Sequence, residues 1–247
     1  MTLLELITDL RVRLLDDTGG EGVDWTDDAN ARLLRWSNEE LTVLINEAMR
    51  ETARRVKSIT ANYEIALEPG ISTYYLDPNI FKIRRAKLDG ANHNLDEVSW
   101  KDLDAYDVTW ETKTGEPKAY ILDWEKGQFR VAPIPEEAGI VKINVYRYPE
   151  YDMEYENWES DEPELEVEYQ RNALYWAAKL AYEKEEPNVI DPGRVAAMNA
   201  EYIARFGVPE SAYAIERKKR AKRSISYGGI GVSNYRFRGR YKNTGYW

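Results

Sequence analysis

Residues 235–241, YRFRGRY, carry the densest side-chain chemistry in the chain. Arg236, Arg238 and Arg240 alternate with Tyr235, Phe237 and, beyond Gly239, Tyr241. In an extended backbone, successive side chains point to opposite faces. Guanidinium groups would therefore line one face and aromatic rings the other. Guanidinium forks pair with carboxylates or phosphates, while aromatic rings stack or fill apolar grooves. Two kinds of partner fit. One is an acidic protein groove entered by strand addition. The other is a single-stranded nucleic acid held by arginine and stacked on Tyr and Phe. A lone strand is not stable, so the segment needs an existing sheet edge or groove. Arg217, Lys218, Lys219, Arg220 and Arg223 form a second basic group upstream, and Trp247 adds a further ring.

This basic segment belongs to an acidic protein. The 247 residues carry a formal net charge of −10, yet Arg217–Trp247 holds ten Lys/Arg and no acid. The remainder therefore stands at −20, which repels a polyanion, whereas the basic segment attracts one. Eighteen Tyr and eight Trp make a heavy aromatic load, and both types suit interfaces as well as cores.

Other chemistry is sparse. The sequence has no cysteine, which excludes disulfides, thiolate metal sites and a cysteine nucleophile. Its one histidine, His93, lies in the turn-like run DGANHN, so a histidine triad or a multi-histidine metal site is excluded as well. Carboxylates are abundant, but no paired-acid site stands out, which leaves a carboxylate-dependent peptidoglycan hydrolase as a weak third class. The run EYDMEYENWESDEPELEVE (150–168) has ten acids and no base, without EF-hand spacing. It reads as a solvated acidic linker. YGGIGVS (227–233) is glycine-rich, but no strand precedes it and no helix follows, so it reads as a flexible tail rather than a phosphate loop. No cofactor and no metal are expected. MTLLELITDL lacks a positive leading region and carries acids, so no signal peptide is expected. No apolar run is long enough to span a bilayer.

The elements that must position these residues follow from periodicity. Leu3, Leu6, Ile7, Leu10 and Leu14 predict a helix over 2–17, with Thr2 and Glu5 as a capping box. Ser37 and Glu40 predict a second box opening a helix over about 38–58. The pattern then alternates. ANYEIALEPGISTYYLD (61–77) predicts a hairpin about Pro69-Gly70, IFKIRRAKL (80–88) a strand, and SWKDLDAY (99–106) a short helix. Residues 118–133 predict a second hairpin and 140–149 a further strand. Helical spacing returns over 168–185, placing Tyr175, Trp176 and Tyr182 by default in a core. Asp191-Pro192 opens another helix, Gly207-Val208-Pro209 breaks it, and 209–223 restarts it.

The expected fold class is α+β: a helical bundle with an inserted antiparallel β-domain, sandwich or barrel-like, and an extended C-terminal arm. The expected divisions are 1–59 and 168–223 for the bundle, 60–149 for the insert, 150–167 for the acidic linker and 224–247 for the arm.

Four stretches in this order carry a family resemblance: WSNEELTVLINEAMRETARR, EIALEPGISTYYLDPNIFKIRRAKLDG, GEPKAYILDWEKGQFRVAPIPEEAGIVKINVYRYP and EVEYQRNALYWAAKLAYEKE. The asparagine of INEA, the G-x-x-x-Y-x-L-D-P run and the P-x-P of VAPIPEE are its most specific points. Together they cover most of the chain, which resembles the head-to-tail adaptor (connector) proteins of tailed bacteriophages, above all those of short-tailed phages. The resemblance implies a non-enzymatic virion neck protein, assembled in the host cytoplasm. It implies a dodecameric ring of identical copies under the portal protein, joined to tail or nozzle proteins below. It also implies a channel through which genomic DNA passes during packaging and ejection without specific binding, and no membrane partner. It further implies that the C-terminal segment reaches onto the portal, so that Arg217–Arg223 and Tyr235–Trp247 act as a docking arm. The alternative is a nucleic-acid-binding protein that uses the same basic aromatic tail.

Overall fold

The computed structural model describes residues 1–19, 24–27, 30, 34–122, 124–184 and 191–209. Helix α1 (Leu3–Asp9) opens with the full capping box: the Thr2 hydroxyl accepts from the Glu5 N–H, and the Glu5 carboxylate accepts from the Thr2 N–H. The chain continues as a π-helical stretch, Leu10–Leu15, and stops at Asp16 in the left-handed region, φ 51°. Helix α2 (Asn38–Val56) forms only half of its expected box. The Ser37 hydroxyl accepts from the Glu40 N–H, but the Glu40 carboxylate pairs instead with Lys184, 2.9 Å away.

The middle of the chain makes seven strands: β1 (Thr60–Leu67), β2 (Thr73–Tyr75), β3 (Ile80–Leu88), β4 (Asp96–Glu97), β5 (Ala119–Ile121), β6 (Gln128–Ala132) and β7 (Gly139–Arg147). They form two sheets, β1-β7-β3 and β2-β6-β5-β4. Ile83, Val141, Ile143 and Val145 of the first share one buried cluster with Tyr120, Phe129 and Val131 of the second. This is the interdigitated core of two facing sheets. The barrel-like alternative is corrected: the two sheets do not close. The all-antiparallel expectation is corrected as well, since β4 runs parallel to β5. On its other face the second sheet carries α3 (Trp100–Tyr106) over a small cluster of Val98, Leu103, Trp110, Ala119, Ile121 and Ala132.

The hairpin expected over 61–77 does not form. β1 pairs with β7, and β2 pairs with β6 in the other sheet. The turn itself exists: the Ile71 N–H reaches the Glu68 carbonyl at 3.1 Å, and Gly70 takes φ +80°. Pro then Gly at the two central positions is type II chemistry. Such a turn splays its flanking strands, whereas the primed turns match their twist. Here it hands the chain from one sheet to the other. The hairpin expected at 118–133 does form, as β5 and β6.

The helices share a separate core. Leu3, Leu6, Ile7, Leu10, Leu41, Ile45, Met49, Leu174, Ala177 and Tyr182 are buried in it, and α4 (Val167–Glu183) and α5 (Pro192–Phe206) complete it. The acidic run 150–167 differs from the solvated linker expected of it. Met153 and Leu165 are buried in the helical core, and the Trp158 and Asp161 carbonyls accept from the Leu4 and Leu3 N–H groups. Those two N–H groups open α1 and have no partner within the helix, so the run caps it. Asn46, the asparagine of INEA, fixes the run at its other end. Its amide accepts from the Met153 N–H at 3.1 Å and donates to the Met153 carbonyl at 2.9 Å. Charge alone suggested a solvated segment; two apolar side chains and this backbone pairing dock it.

Candidate docking site

The point where the described chain departs toward its basic segment is held tightly. Helix α5 starts with Asp191, whose carboxylate accepts from the Arg194 N–H at 3.0 Å, and with Pro192 in its first turn. It ends at Gly207, φ +75°, as the Gly-Val-Pro break predicts. The freed Gly207 carbonyl accepts from Arg55 Nη1 at 2.7 Å. Arg55 is fixed in turn by Glu51, 2.9 Å from its Nε, and its guanidinium lies 4.7 Å from the Tyr202 ring and 5.4 Å from the Trp176 ring. A cation over aromatic faces is attracted by the ring quadrupole. Tyr202 is wholly buried, shares a 2.9 Å hydrogen bond with Thr52, and has its phenol pushed up to about 12 by that burial. Phe206 and Trp176 pack on its ring at 4.8 and 5.0 Å. The exit at Gly207 is therefore pinned to α2 by a charge-assisted bond and an aromatic stack.

The expected docking residues lie beyond this point. Arg217, Lys218, Lys219, Arg220, Arg223, Tyr235, Arg236, Phe237, Arg238, Arg240, Tyr241 and Trp247 all fall outside the described residues. The helical restart at 209–223 and the YGGIGVS run fall there too.

Among the described residues, three further arrangements use the same chemistry. Arg130 is buried on the second sheet, with its guanidinium 4.2 Å from the Trp124 ring and 4.7 Å from the Trp110 ring. Arg11 is wholly buried beneath the helices. It donates to Asn38 Oδ1 at 2.8 Å, the Trp36 carbonyl at 2.7 Å and the Asp17 carboxylate at 2.7 Å. Burial pushes its pKa down and Asp17 pushes it back up, and a guanidinium stays charged under both. Arg50 and Arg54, with Glu47 and Tyr148, line an open cleft beside Trp176. Arg50 there grips Asp152 of the acidic run at 2.8 Å, and Arg54 grips Glu51 at 2.7 Å. Of the aromatics placed in a core by spacing, Tyr182 is fully buried. Trp176 and Tyr175 are half-buried and carry cations, Lys179 4.1 Å from the Trp176 ring and Arg205 4.1 Å from that of Tyr175.

Arg11 and Arg55 were not legible as fixed points. Arg11 did leave a signal, since it follows Ile7 by four and thus lies on the apolar stripe of its helix. Arg55 follows Glu51 by four, which announces an ion pair but not the carbonyl 152 residues away.

Among the described residues no group of three His, Asp or Glu could hold a metal, and no helix is long and apolar enough to cross a membrane. Exposed His93 sits in a bend. No curated protein matches the chain. A family model for the SU10 adaptor protein matches residues 1–226, stopping before the arginine–aromatic alternation at 235–241. With nearly its whole length matched, the chain belongs to the SU10 adaptor protein family, and it is a structural head-to-tail adaptor of a bacteriophage virion.

Proposed function

We propose that this adaptor works as a dodecameric ring seated on the portal, with tail or nozzle proteins below and genomic DNA passing through its channel. In this reading residues 1–59 and 168–223 form the ring's helical bundle, 60–149 the inserted β-domain and 150–167 a brace between them. Residues 224–247 are the arm that reaches the portal. The observation that carries the reading is the pairing of a pinned exit with a segment of opposite charge. Arg55 holds the chain at Gly207, and the ten cations beyond it face no acid of their own segment. Ordering such an arm costs conformational entropy, which aromatic burial and arginine–carboxylate pairs offset on docking. Many copies on one ring would act multivalently. A body at −20 lets DNA pass without sticking.

The test is co-sedimentation with the portal ring of the same genome, and separately with single-stranded DNA. The full chain is expected to travel with the portal. The variant Arg236→Glu, Arg238→Glu, Arg240→Glu is expected to remain behind with an unchanged circular dichroism spectrum. Loss of the fold in that variant would make the arm part of the core and overturn the reading. Salt-sensitive binding of the full chain to DNA, with none to the portal, would replace the reading with nucleic-acid binding.

A further inference from the structure

The first sheet has one edge that no described strand or segment covers. β7 lies in its middle, so β1 and β3 are its edges. The Ile59 carbonyl accepts from the Arg147 N–H, and the Ile140 carbonyl accepts from the Asp89 N–H beyond β3. Odd-numbered residues of β7 thus bond toward β1, and even-numbered ones toward β3. With Thr60 opposite Tyr146, the odd residues of β1 meet β7 and the even ones point away. The backbone groups of Thr60, Asn62, Glu64 and Ala66 face outward, and no described backbone or side-chain group bonds them. No other described element runs alongside β1.

β1 also lacks the features that keep edges unpaired. Such edges are short, bulged, or studded with lysine or proline. β1 has eight residues in unbroken register, and Glu64 is its only charge. Ala61, Tyr63 and Ile65 lie half-buried on its core-side face. Thr60, Asn62, Glu64 and Ala66 are exposed on the other. On the core-side face, burial raises the Tyr63 pKa, and nearby Asp77, Glu150 and Glu164 add to it against the pull of Arg147, which pairs with the last two.

We propose that the free β1 edge is the seat of this chain's own residues 235–241 before the portal is engaged. The segment has the period of a strand, so it can take up the open backbone groups of Thr60, Asn62, Glu64 and Ala66. Tyr235, Phe237 and Tyr241 then extend the row begun by Ala61, Tyr63 and Ile65. Arg236, Arg238 and Arg240 extend the row that holds Glu64, the one carboxylate of the strand. Reach is sufficient. The 25 residues 210–234 span up to about 80 Å when extended, against a radius of gyration of about 18 Å for a compact body of this length. Pairing of β1 with the β1 of a second copy fits less well, because an isologous edge contact stops at two copies. The seat goes beyond the portal-docking reading and does not depend on it.

The experiment is amide exchange of the free full-length protein, without portal, read at residues 60, 62, 64 and 66. Those amides should exchange at least tenfold more slowly than in the Arg236→Glu, Arg238→Glu, Arg240→Glu variant. The synthetic peptide 233–247 should restore protection to that variant. Asn62→Pro in the full chain should abolish protection at Glu64 while leaving the spectrum of the fold unchanged, since the Asn62 N–H does not bond β7. Glu64→Lys should do the same by repelling the arginines. Fast exchange in the unaltered protein would overturn the proposal. So would protection that survives the charge reversal, and a rise in protection with protein concentration would then assign the edge to a second copy.

Discussion

The two edges of the first sheet, β1 and β3, flank the same strand and have nearly the same length, yet they are built in opposite ways. β3 carries Lys82, Arg84, Arg85 and Lys87, and its register against β7 shifts twice. At its far end the Leu95 N–H bonds the Ala86 carbonyl, and Arg85 reaches Asn94 at 2.8 Å, so the 91–95 segment lies across it. Charge, bulges and a crossing segment are the devices by which edges are kept from pairing. β1 has a smooth register, one charge and, among the described residues, no cover. The difference teaches that this sheet is closed on one side and left open on the other. The open side carries one carboxylate, in a chain whose basic C-terminal segment alternates at 235–241 with the period of a strand.

The comparison breaks most readily at two alanines of β1. Ala61→Pro removes an N–H that bonds β7 and leaves a carbonyl unpaired, so it should cost about 2 kcal/mol in urea unfolding. Ala66→Pro makes the same chemical change at an outward-facing position and should stay within about 0.5 kcal/mol. Equal costs would mean that the register assigned to the open edge is wrong. Glu64→Lys comes next. Glu64 stands opposite Lys142, and a like-charged pair there should destabilise the fold by roughly 0.5 kcal/mol in the same measurement. A loss several times larger would show that β1 needs its charge for folding and is not a free surface.

The smallest effect sharpens the β3 side. Asp89 follows that strand and bonds Lys142 at 3.0 Å, and this bond holds its pKa below the usual aspartate range. A carboxylate with a lowered folded-state pKa adds stability above its unfolded pKa. That contribution is lost as pH falls through the folded value. An NMR titration should therefore find Asp89 protonating below the range usual for an aspartate, and Lys142→Ala should return it to that range.

Much of this was legible in the sequence. The apolar stripe of α1, the Ser37 cap, the strand at Ile80–Leu88 and the Asp191-Pro192 start follow from local rules, because capping and side-chain period are decided by residues within four positions of each other. The family was legible for a related reason, since its stretches are successive local patterns. The pairing of β1 was not. Tyr63, Ile65 and Leu67 announce a strand, but nothing in them distinguishes β2 from β7 as its partner. The type II turn at Pro69-Gly70 decides against β2, and the choice of β7 requires closing some 70 intervening residues.

The sequence by itself thus determined the elements, the acidic body, the basic alternating segment and the family. Tertiary structure alone decided that Arg11 and Arg55 are fixed points, that the acidic run 150–167 caps α1 and docks on Asn46, and that β1 keeps an open edge. Each of these rests on partners distant in the chain, such as Arg55 and Gly207 or Leu3 and Asp161. A buried charge or a free backbone row has meaning only once the whole chain has settled what lies beside it.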